Sequence, residues 1–139
     1  VGPRVGMALN GGQMVSRGWH SGSVFGTHSG AAAAGVLLNL DGARFEDALG
    51  LAGTQAAGLM AAQFGAMVKR MHAGRSAQSG LYGALLASNG FTGITDVFES
   101  PYGGFCTTFS RSDDRFNREE ENLKWENPDP GYGRWKEAI

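Results

Sequence analysis

Residues 27–40 read THSGAAAAGVLLNL, and this stretch decides the fold. Ala31 to Ala34, followed by Leu37, Leu38 and Leu40, are strong helix formers, and nothing alternates as a half-buried strand would. Asp41-Gly42 stops the pattern. The residues are small or apolar on every side, so a helix here belongs in an interior. Its glycines and alanines let neighbouring helix axes approach closely.

Reading outward, residues 44–53 place Phe45, Ala48, Leu49 and Ala52 at i, i+3, i+4 and i+7, which predicts a second helix. Residues 56–68 are a third candidate. Gly74 is expected to interrupt the chain, and residues 76–88 to form another helix ended by Asn89-Gly90. A short helical turn is expected at 95–98 and a charged helix at 117–125, before Pro128 and Pro130. Upstream, 5–15 reads as helical despite Gly11 and Gly12, and 16–26 as a loop or helix start. Val, Ile and Thr are sparse, so the class is all-α: a Gly/Ala-rich, tightly packed helical bundle. A chain of 139 residues has limited room to bury several such helices, which points to a larger helical domain or a partner subunit.

Composition divides the chain near Gly93. Residues 1–93 hold 19 of the 23 glycines and carry a net +3, whereas residues 94–139 carry −4, so the acidic groups lie mostly in the second part. The overall charge of −1 argues against a nucleic-acid or anionic-membrane partner, either of which needs a basic excess. One cysteine excludes a disulfide framework and an all-Cys zinc site. The longest apolar run, 31–38, is too short to span a bilayer. With no leader-like segment, an intracellular setting is expected (cytoplasm, or mitochondrion in a eukaryote). The start at Val1 reads as a processed or excised piece. The Gly-rich runs follow no strand, so neither a Rossmann nor a P-loop reading holds.

Three histidines, His20, His28 and His72, are the candidates for proton transfer or anion binding. His20 sits in Gly18-Trp19-His20-Ser21-Gly22, just before a helix whose N-terminal amides favour anions. The blander reading is a loop histidine propped by Trp19. Lys69-Arg70-Met71-His72-Ala73-Gly74-Arg75 is the densest cationic cluster of the first region. On a helix Lys69, His72 and Arg75 step by three, a face that would attract carboxylates or phosphates, and Lys69 would lower the pKa of a neighbouring histidine. Ser76 is a plausible N-cap adding amides nearby. The competing reading is an ordinary solvated helix end. His28 reads equally well as a packing residue. A three-histidine metal site has only the count in its favour, so no metal is expected. Cys106 reads as a small apolar packer, and the charge runs at 111–118 and 119–121 as solvated surface.

These residues also carry a resemblance. Gly18-Trp19-His20, Phe25-Gly26-Thr27 and the run 30–34 resemble the segment that opens a central helix in the MmgE/PrpD family. The stretch ALGLAGTQAAGL at 48–59 is similar to the family's next helix, and MVKRMHAGRSAQSG at 67–80 to its most specific stretch. Phe91-Thr92-Gly93, Asp96-Val97-Phe98-Glu99 and Tyr102-Gly103-Gly104-Phe105 also fit. The likeness covers residues 1–116, as part of the helical domain, and leaves 117–139 as a divergent polar, acidic tail. It implies a cofactor-free lyase or isomerase acting on small di- or tricarboxylates, 2-methylcitrate dehydratase-like or a related decarboxylase or epimerase. It implies homodimers and an α/β lid beyond this segment. It also implies catalytic roles for His20, Lys69 and His72, and substrate binding by Lys69 and Arg75. The family's upstream acidic site residue, and a histidine and tyrosine from its lid, have no counterpart here. A chain completing the site is therefore expected. The alternative is a non-catalytic helical dimerisation or interaction module.

Overall fold

A computed structural model describes residues 1–9 and 11–110. Among them are six α-helices and no strand: α1 (Gly2–Ala8), α2 (Gly11–Ser16), α3 (Ser21–Leu37), α4 (Gly42–Gly53), α5 (Val68–Ser88) and α6 (Phe105–Ser110), with a 3₁₀ turn at Met60–Gln63. The all-α expectation holds. No described helix is long and apolar enough to cross a membrane.

The core is the crossing of α3 with α5, with α4 packed against both. Small residues make it possible. A Cβ on Gly30 would lie 2.9 Å from the Ala77 carbonyl oxygen and 3.2 Å from the Gly80 Cα, and one on Gly80 would collide with the Thr27 carbonyl and the Ala31 amide. These backbones touch, and only glycine permits it. Ala34, Ala48, Leu51, Ala84 and Ala87 fill the α3–α4–α5 junction. A second cluster, with Val24, Leu49, Val97, Phe98, Phe105, Cys106 and Phe109, seals the other end. Cys106 is buried there, and burial pushes its thiol pKa up, as fits a packing residue.

Several boundaries differ from the sequence reading. The 5–15 helix is two short helices, α1 and α2, divided ahead of the Gly11-Gly12 pair. The α3 helix begins at Ser21 rather than Thr27, because His20 caps it. The expected helix at 56–68 does not form: the chain turns through Gly58 at φ +151°, pairs Leu59 with Trp19 in an isolated antiparallel bridge and then makes the 3₁₀ turn. Gly74 does not interrupt α5, since a Cβ there would meet nothing within 4 Å and the single glycine costs only about 1 kcal/mol of propensity. Ser76 is consequently no N-cap. It lies inside α5, its Oγ donating to the Ala73 carbonyl at 3.0 Å. Residues 95–99 form turns rather than helix, and α6 was not anticipated. The expected helix at 117–125, the charge runs and the tail lie outside the described residues.

Candidate functional site

The start of α3 is held in place by contacts outside α5. The His20 amide donates to the Gly58 carbonyl at 3.0 Å, and the Met60 amide to the Gly18 carbonyl at 2.7 Å. Trp19 packs edge-on against Phe109, ring centroids 5.1 Å apart. His20 is then the N-cap of α3: its Nδ1 accepts from the Ser23 backbone amide at 3.2 Å, with the Ser23 Oγ also at 3.2 Å. Histidine is not among the preferred N-caps, which are Ser, Thr, Asp and Asn. The amide that the sequence reading offered to an anion is thus taken by the imidazole.

Helix α5 supplies the facing groups. His72 is buried on its inner side, and its ring centroid lies 4.8 Å from that of His20, the planes inclined at 55°. The His72 Nδ1 is buried and has no hydrogen-bond partner. Lys69, one turn earlier, is exposed. His20 has its pKa held below the ordinary 6.5 by partial burial first, then by the charges of His72 and Lys69. So the lysine effect expected from the sequence falls on His20, which stays neutral at pH 7.

The structure therefore brings His20, His72 and Lys69 together. Arg75 is placed differently: it is exposed, and its guanidinium donates to the Gln78 Oε1 at 2.8 Å. His28 is no part of the cluster. It is fully buried between Phe98 and Phe105, ring centroids 4.9 and 4.5 Å away, with neither nitrogen hydrogen-bonded. Burial drives its pKa down to about 4, so it is a neutral core residue. The three histidines therefore do not converge, and among the described residues no three His, Cys, Asp or Glu groups gather as a metal would need. An apolar recess of about 200 Å³, lined by Gly53, Ala56, Val97, Phe105 and Phe109 among others, includes none of the three clustered residues.

Sequence reasoning missed Ser23 and Gly58. Ser23 stands three residues after His20, the spacing at which an N-cap side chain meets its amide, and that signal was available. Gly58 had none: a Cβ on it would lie 2.5 Å from the Ser23 Cβ, a contact that only the fold reveals.

Comparison with known proteins places the chain in a family. Residues 1–117 match the model of the MmgE/PrpD N-terminal domain. The chain belongs to the MmgE/PrpD family. A cis-aconitate decarboxylase-like protein of Aspergillus oryzae is 53% identical over 115 residues, which are 83% of this chain and 24% of that protein. A cis-aconitate decarboxylase of Aspergillus terreus is 48% identical over 114 residues, 82% of this chain and 23% of the relative. The chain thus spans about a quarter of the length of these MmgE/PrpD relatives.

Proposed function

We propose that this chain carries one wall of a lyase site for small tricarboxylates, with cis-aconitate the first substrate to test. The observation that supports the reading most is the convergence of two imidazoles and one ammonium, His20, His72 and Lys69, at the start of α3 and α5. A substrate with several carboxylates needs fixed cations and donors to offset its desolvation. Lys69 is suited to hold one carboxylate, and Arg75 lies further along α5 as a second cation.

Among dehydration, decarboxylation and epimerisation, the names of the relatives favour decarboxylation. In that step the bond to one carboxyl carbon breaks and CO₂ departs. The electron pair stays on the substrate carbon until a proton arrives there. Preorganised positive charge from Lys69 stabilises that pair, and an imidazole delivers the proton. The remaining walls would come from a second polypeptide segment, either the rest of a longer chain or a partner subunit. Exposed Leu37, Phe64 and Met67, each more than 80% accessible, are the surfaces it would cover.

That same exposure favours a second reading, a helical interaction module without catalysis. Proton NMR spectra of 2-methylcitrate, citrate and cis-aconitate mixed with the protein separate the two. The lyase reading expects product signals or ligand broadening that disappears in Lys69→Ala. Unchanged spectra with folded protein, together with a stable oligomer, would establish the interaction module instead.

A further inference from the structure

We infer that His20 acts as a neutral hydrogen-bond donor through Nε2–H, its Nδ1 being committed to the cap of α3, and that the Ser23 backbone amide positions it. The inference deepens the lyase reading and rests on it for the identity of the acceptor, a substrate carboxylate.

The chemistry follows from one contact. The Ser23 amide lies 3.0 Å from the His20 carbonyl and 3.2 Å from the His20 Nδ1, and because a backbone N–H can only donate, its approach to the ring favours an unprotonated Nδ1. A neutral imidazole has one such nitrogen, so the proton is on Nε2. The Ser23 hydroxyl, also 3.2 Å from Nδ1, donates to the ring in this tautomer and would accept from it in the other. Protonating the ring further would require a hydrogen on Nδ1. That hydrogen would face the Ser23 amide hydrogen and the positive end of α3, a helix of 17 residues.

A bound carboxylate ordinarily raises the pKa of a nearby histidine. Here an added proton would cost the cap its Nδ1 acceptor. The charged and titratable groups acting on the ring are His72 and Lys69 of α5, both of which disfavour imidazolium. The segment on the other side presents the Gly58 carbonyl, which is already taken by the His20 amide. Neutral imidazole donors set at a helix N-terminus are an established device for polarising a carbonyl without transferring a proton. The proton carrier of the pair is then His72, whose Nδ1 is without a partner.

The test is a long-range ¹H–¹⁵N spectrum of the full chain labelled at histidine, recorded without ligand between about pH 8 and pH 6. The expected pattern for His20 is a pyridine-like Nδ1 and a pyrrole-like Nε2 that persist across the range. The reverse tautomer, or titration to imidazolium near the ordinary pKa, overturns the inference. Ser23→Ala keeps the amide and should keep the pattern. Ser23→Pro removes the amide, together with its bond to the His20 carbonyl at 3.0 Å, and should release the pattern.

Two substitutions of His20 then read the donor role through cis-aconitate affinity. His20→Gln retains an N–H near the Nε2 position and should bind within about tenfold of the original, whereas His20→Asn retains the cap but should lose roughly tenfold to a hundredfold. Equal losses in both overturn the donor role. Absence of any tricarboxylate binding would defeat the lyase reading, while the ligand-free spectrum still decides the tautomer.

Discussion

His20 caps α3 and His28 lies eight residues on, two turns into the same helix, and the fold treats them in opposite ways. His28 is sealed among Phe98, Phe105 and Gly53 with both nitrogens idle. His20 is half-buried, bonded through one nitrogen and set beside a second imidazole and a lysine. Both have lowered pKa values. For His28 the cause is burial alone, whereas for His20 burial is joined by two neighbouring charges. A lowered pKa is therefore no mark of function by itself. What separates a working histidine from a filler is an open side and chemically useful neighbours.

The largest effect that would break this comparison is an acid test of His28. Its folded pKa of about 4 lies below the unfolded value near 6.5, so protons bind preferentially to the unfolded chain. The stabilisation from its neutral state is whole above about pH 6.5 and drains away as the pH falls toward 4, by about 3 kcal/mol. Urea unfolding at the two ends of that window should show this loss, and His28→Leu should largely abolish it. An equal acid loss in the variant would place the sensitivity elsewhere.

Gly80→Ala comes next. The added methyl meets the Thr27 carbonyl and the Ala31 amide, so α5 must move off α3 at a cost of about 2 kcal/mol. Separation of the helices should also carry His72 away from His20 and let the His20 pKa return toward 6.5. A variant of unchanged stability and unchanged titration would show that the crossing does not set the site.

Lys69→Ala should weaken tricarboxylate binding about tenfold or more while leaving the urea midpoint unmoved, because the side chain is exposed. His20→Ala should cost about 1 kcal/mol through loss of the cap, a change that circular dichroism during unfolding would detect. The smallest expected effect is a slight rise of the His20 pKa in Lys69→Ala, since the lysine charge ranks behind burial and His72 among its causes. A fall would reverse the assigned electrostatics.

The helical class was legible because the 27–40 stretch has no strand character and its small residues demand close neighbours. The α5 cluster was legible too, since the spacing of Lys69 and His72 on a helix does not depend on distant contacts. The segment 56–68 was not. Its alanines favour helix locally, but the bridge to Trp19 and the Gly58 turn are long-range features that override propensity. Gly74 misled in the other direction, because a glycine on the open side of a well-packed helix costs too little to end it. The pairing of His20 with His72 spans 52 positions and depends on the α3–α5 crossing, which no local pattern encodes.

Whether the imidazole pair and Lys69 form a tricarboxylate site is tested most directly by titrating cis-aconitate into histidine-labelled protein. The predicted result is that ring signals of His20 and His72 move together, His28 stays fixed, and Lys69→Ala abolishes the response. Ring signals of His20 and His72 that stay still at saturating ligand, or a response centred on His28, would contradict it.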